Sequence, residues 1–165
     1  MEHLYAPWRM EYIGREEPDE GCLFCRLLAR PPEQDRETLV VSRDGGVLIV
    51  LNRFPYNSGH LMVAPHAHLG GLELLGDEAS LAVMRGVQQS LRALREVLKP
   101  EGFNIGVNQG RVAGAGIPDH VHVHIVPRWG GDTNFMPVLG EVKVVNEHLA
   151  RTWEKLSPAF SGPAS

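Results

Sequence analysis

The chain has 165 residues, a formal net charge of −4, and 43% hydrophobic against 22% charged residues, the balance of one soluble globular domain with a real core. The acidic balance argues against nucleic acid or an anionic membrane as partner, since both demand a basic face. No apolar run is long enough to span a bilayer, and the charged opening has no apolar stretch of the kind a signal peptide needs, so a cytoplasmic location is expected.

Residues 1–21, with Tyr5, Trp8 and Tyr12, read as an N-terminal arm, and 22–156 as the domain proper. Cys22–Ala29 predicts a short helix ended by Pro31-Pro32, followed by a polar loop to Arg36. Thr38–Ser42 and Val47–Asn52 are β-branched runs split by Asp44-Gly45-Gly46, a hairpin signal. The turn-rich stretch Asn52–Gly59 leads into a strand at His60–Ala64, stopped by Pro65. Asp77 is a suitable N-cap for a helix over Glu78–Leu98. Its apolar stripe is predicted to be Leu81, Met84, Val87, Leu91, Leu94 and Leu98.

Phe103, Ile105 and Val107 alternate with Asn104, Gly106 and Asn108, the pattern of a half-buried strand. Gln109–Asp119 follows, a glycine-rich loop in which backbone N–H groups can surround an anion. After a loop from Arg128 to Met136, Val142–Val145 is strand-like, Glu147–Leu156 reads as a helix, and 157–165 as a disordered tail.

His120 to Pro127 alternates strictly, so one strand face would carry His120, His122 and His124 and the other Val121, Val123 and Ile125. Pro127 should close the strand, because it cannot donate to a ladder. Three imidazoles in a row suit a solvated surface, a metal site, or a catalytic row in which one ring is a nucleophile. Cys22 and Cys25, spaced Cys-x-x-Cys, are either a redox pair or half of a metal site.

Gly59-His60-Leu61-Met62-Val63-Ala64-Pro65, then Asn108, a glycine-rich loop and His-x-His-x-His, together resemble the histidine triad (HIT) family of nucleotide hydrolases and transferases. Tyr5-Ala6-Pro7-Trp8-Arg9 and Pro127–Phe135 are similar to its bacterial diadenosine tetraphosphate phosphorylase or hydrolase branch. The resemblance implies an α+β fold with a five-stranded, mainly antiparallel sheet, one long and one short helix, and a homodimer. It implies that His122 attacks the α-phosphorus of an adenine nucleotide or dinucleoside polyphosphate, with His120, His124 and His60 in support. Asn52, Arg53, Asn108, Gly114, Ala115, Gly116, Ile117 and Trp129 would bind substrate. It also implies a structural zinc on Cys22, Cys25, His68 and His120, with no cofactor needed for the chemistry; His66 is a near neighbour of His68. The rival readings are a metal-dependent hydrolase using all three triad rings as ligands, or a nucleotide-binding regulatory module. Gly116 departs from the Gln or Ser common at that point, which leaves hydrolysis and phosphorolysis both open.

Overall fold

A computed structural model describes residues 21–132 and 147–161. The arm before Gly21, the strand-like Val142–Val145, and Phe135 lie outside the described residues. Five strands form one antiparallel sheet: β1 (Val40–Ser42), β2 (Val47–Leu51), β3 (Leu61–Pro65), β4 (Gly102–Gly106) and β5 (Val123–Arg128). Their spatial order is β1-β2-β3-β5-β4, so the histidine-bearing strand is inserted between β3 and β4. The described helices are α1 (Leu23–Ala29), α2 (Asp35–Thr38), α3 (Asp77–Leu98) and α4 (Leu149–Phe160).

Gly45 (φ 67°) and Gly46 (φ 79°) supply the left-handed turn of the β1–β2 hairpin. The loop between β2 and β3 closes on itself through Asn52 N–H to the His60 carbonyl, 2.8 Å. Gly59 is required there twice over. Its φ is +77°, and a Cβ would lie 2.5 Å from Leu98 Cδ1.

β2 and β3 are buried throughout. Val47, Ile49 and Val63 meet α3 on one face, and Phe24 of α1 lies against His120 and His122 on the other. The stripe that α3 buries matches its sequence prediction at Val87 and Leu94, with Leu91 and Leu98 packed beside it, and departs from it elsewhere. Val83, Gly86, Val87, Ser90, Ala93 and Leu94 face the sheet, whereas Leu81 and Met84 are 51% and 55% exposed. Small residues set the contact because helix and sheet approach closely at Gly86. A Cβ there would sit 2.9 Å from Val63 and 3.0 Å from Val47. Gly86→Val is therefore expected to cost about 2–3 kcal/mol by overpacking, read as a lower urea midpoint. Gly86→Ala should cost less, since a helix-propensity gain of about 1 kcal/mol offsets part of the clash.

Four further expectations are corrected. Gly76, not Asp77, is the N-cap of α3, and Asp77 opens the helix, where its charge favours the dipole. Thr38 belongs to α2, so β1 starts at Val40. α4 runs to Phe160, past the predicted end at Leu156, because Leu156 and Phe160 are both buried. Pro127 does not end β5; it pairs with Phe103. Its carbonyl accepts from the Asn57 side chain (3.1 Å), so its missing N–H points to the side where β3 has already stopped. No ladder bond is lost.

Candidate active site

The three triad rings come from a strand and the segment that enters it. β5 begins at Val123, so only His124 lies within the strand. His120 and His122 precede it because β3 ends at Pro65, and Val121 N–H instead donates to Leu69 O, 2.7 Å. The fold nevertheless brings His122 and His124 together, with ring centroids 4.8 Å apart. His124 pairs with Met62 on β3 and Gly106 on β4, on the sheet face away from α3.

Backbone groups fix which nitrogen of each ring holds a proton. His122 Nδ1–H donates to the His120 carbonyl (2.9 Å), so Nε2 keeps its lone pair. His60 Nδ1 accepts from Tyr56 N–H (3.1 Å), so its proton is on Nε2. That proton goes to His124 Nδ1, 2.9 Å away, which leaves His124 with an Nε2–H donor. His120 Nε2–H donates to the Pro65 carbonyl (2.8 Å), so its Nδ1 is a lone pair. One bare ring nitrogen therefore stands beside one ring N–H, the first held by a backbone carbonyl and the second by the His60 ring, which is itself fixed by the Tyr56 amide.

Burial holds these rings neutral. It pushes His124 down to about 4, with His122 beside it adding to the effect. It also lowers His122, against the opposing pull of the bond to the His120 carbonyl. In the unfolded chain both rings take up a proton near pH ~6.5. Between there and about 4 the unfolded state therefore holds more protons than the folded one, and stability falls as pH falls. The expected slope approaches ~1.4 kcal/mol per pH unit for His124, and His122 adds to it in the same direction. Urea unfolding at pH 7 and pH 5 measures it, and equal midpoints would contradict neutral rings.

His120 Nδ1 points away from this pair. It lies 3.2 Å from Cys22 Sγ and 3.7 Å from Cys25 Sγ, and Cys25 Sγ lies 3.3 Å from His68 Nδ1. One ligand atom from each of the four residues falls within 4.8 Å of every other. A tetrahedral zinc with Zn–S of ~2.3 Å and Zn–N of ~2.0 Å sets S···N edges of about 3.5 Å, so the cluster fits that ion. The carbonyl of Pro65 behind His120 is the kind of outer partner that orients a ligand imidazole. His66 is exposed and outside the cluster. Among the described residues no such cluster includes His122 or His124, which weighs against all three triad rings sharing one ion.

The remaining expected site residues fall as follows. His60 is fully buried and joins Tyr56 to His124. The Asn52 side chain accepts from Phe54 N–H (2.9 Å) and shapes its own loop, while Arg53 is exposed. Asn108 is half-buried, two residues beyond Gly106, the strand partner of His124. In the glycine loop, Gly110 and Gly114 take φ of 84° and 85° around a short 3-10 turn. The Ala115 amide is spent on Gly110 O (3.3 Å). The amides of Gly116 and Ile117 donate to no protein acceptor among the described residues. Trp129 is half-buried, and its backbone N–H donates to Asp132. Sequence reasoning missed Phe24, whose ring lies 5.1 and 4.9 Å from those of His120 and His122. It also missed Tyr56, stacked 4.9 Å over His60. An aromatic inside the Cys-x-x-Cys and another just before Gly-His were the available signals.

Comparison with known proteins agrees with this geometry. The HIT domain description matches residues 33–131, more than half of the chain. A Mycobacterium tuberculosis protein named AP-4-A phosphorylase is 40% identical over 98% of this chain and 85% of its own. Among solved structures, a zinc-bound histidine triad family protein from Mycobacterium smegmatis aligns with TM-score 0.68 and 26% identity, over 86% of this chain and 94% of that one. A HIT family member from Bacillus subtilis aligns with TM-score 0.60 and 32% identity, over 68% and 76%. The chain belongs to the histidine triad family.

Proposed function

We propose that this protein cleaves a phosphoanhydride of an adenine dinucleotide such as diadenosine tetraphosphate through a nucleotide carried on His122. One observation carries the reading. The hydrogen bonds of the four rings leave His122 Nε2 bare and His124 Nε2 protonated, side by side. The 40% identical AP-4-A phosphorylase supports the substrate class.

His122 Nε2 donates its electron pair to the α-phosphorus, and the bond from phosphorus to the bridging oxygen breaks. The leaving polyphosphate departs as its anion, which the neutral His124 ring stabilises by donating a hydrogen bond from Nε2–H without giving up the proton. The positive charge that grows on the His122 ring is eased by its Nδ1–H on the His120 carbonyl. The amides of Gly116 and Ile117 are available to the phosphate oxygens. Water or inorganic phosphate then attacks the same phosphorus, giving AMP or ADP and freeing the imidazole. Gly116 offers no side chain to bias that choice. Zinc on Cys22, Cys25, His68 and His120 would act as a cross-link between α1, the segment after β3 and the entry to β5. The chemistry stays on His122. A homodimer is part of this reading: Leu81, Met84 and Ile105 are each about half exposed, and β4 is an open edge strand.

The test is an acid-free quench after mixing with α-labelled diadenosine tetraphosphate. Label should stay on the native chain and be absent from His122→Ala; an unlabelled native chain that still turns over, or equal labelling of both, would sink the proposal. Adding phosphate and finding ADP beside ATP identifies phosphorolysis.

A further inference from the structure

We infer that the cleft beyond His124 is a second nucleoside subsite, holding the half of the dinucleotide that leaves; this rests on the reading of the active centre just given. The cleft has a volume of about 280 Å³ and is lined by Tyr56, Asn57, Asn104, Val126, Arg128 and Asp132. That is at the small end of ligand sites and suits one nucleoside rather than two.

Its position follows from the sheet. Val126 and Arg128 stand two and four residues past His124 on the same face, ~7 and ~13 Å along the strand. Asn104 is the β4 partner of Val126. The Tyr56 ring, 45% exposed, lies 6.2 Å from the His124 ring and walls the near side. His120 and the cysteine cluster sit at the other end of the row. A leaving group held by a hydrogen bond from His124 Nε2–H thus departs towards this cleft.

The chemistry of the lining selects a base and ribose over a phosphate chain. Arg128 is already neutralised, with Nε and Nη2 forked onto Asp132 at 2.6 and 2.8 Å and Nη1 on Asn104 Oδ1 at 2.8 Å. Asp132 also accepts from Asn57 Nδ2 at 2.8 Å. A phosphate would meet a compensated guanidinium and a carboxylate that repels it. A purine meets a tyrosine face and the Val126 methyls. Its amino group and the ribose hydroxyls meet carboxylate and carboxamide groups that are already held in place.

Asn104→Trp fills the cleft from the sheet face of β4 that carries Val126 and His124, and it is assayed with the native oligomeric state verified by light scattering. For diadenosine tetraphosphate we expect kcat/KM to fall about tenfold, mostly through KM, as for the loss of one stacked and hydrogen-bonded group. For the p-nitrophenyl ester of AMP, which has no second nucleoside, kcat/KM should stay within twofold. Asn104→Ala should move the dinucleotide KM in the same direction by less. Equal losses on both substrates, or none on either, overturn the subsite. If the native protein turns over neither substrate, the active-centre reading falls instead. The cleft is then judged by the Val126 methyl NMR signals: diadenosine tetraphosphate should shift them in the native chain and not in Asn104→Trp, and unmoved native signals would reject it.

Discussion

Replacing His122 with alanine is expected to lower kcat by roughly 10⁴-fold or more, the scale of removing a covalent nucleophile. The ring is 3% exposed and packed between Phe24 and His124. Its loss also leaves the His120 carbonyl without a donor, so the variant should be compared at a temperature where circular dichroism finds it folded. Added imidazole should restore part of the rate to His122→Gly, because the missing group is a neutral ring with one bare nitrogen. The fully buried His60 stands one hydrogen bond further back, behind His124. His60→Ala should therefore be milder, and should weaken the first step more than substrate binding. A His122→Ala enzyme within tenfold of native would remove the nucleophile from that position.

Breaking up the Cys22–Cys25–His68–His120 cluster is the second large effect expected. Cys25→Ser should abolish stoichiometric zinc, measured by atomic emission on the purified chain. It should lower stability by about 3 kcal/mol, or a Tm drop of ~10 °C for a domain of this size. Three segments far apart in sequence are joined there, α1, the loop after β3 and the entry to β5. Activity should fall by about tenfold, far less than for His122, because His120 contributes a carbonyl that orients the proposed nucleophile rather than a reacting atom. Chelation of the native protein should reproduce both changes. A chain that binds no zinc as purified and gains no thermal stability from added zinc would reject the site.

Which residues could do chemistry was legible from short-range patterns along the chain. Gly59-His60, Asn108, the glycine loop and the alternating histidines are local patterns that follow from the two-residue period of a strand and the freedom of glycine. The long helix and the hairpin were legible for the same reason: their signals are contained within a few turns of chain. What those residues touch depended on how distant segments pack. The face of α3 that enters the core was set by the closeness of Val47 and Val63 to Gly86, so Leu81 and Met84 turned outward while Val87 and Leu94 of the predicted stripe stayed buried. His120 turned to the cysteines and away from its two neighbours because β3 ends at Pro65 and that carbonyl takes its Nε2 proton. The protonated nitrogen of His124 was fixed by Tyr56 through His60, across 64 residues. Such pairings are made by segments that meet only after folding, and no local period encodes them.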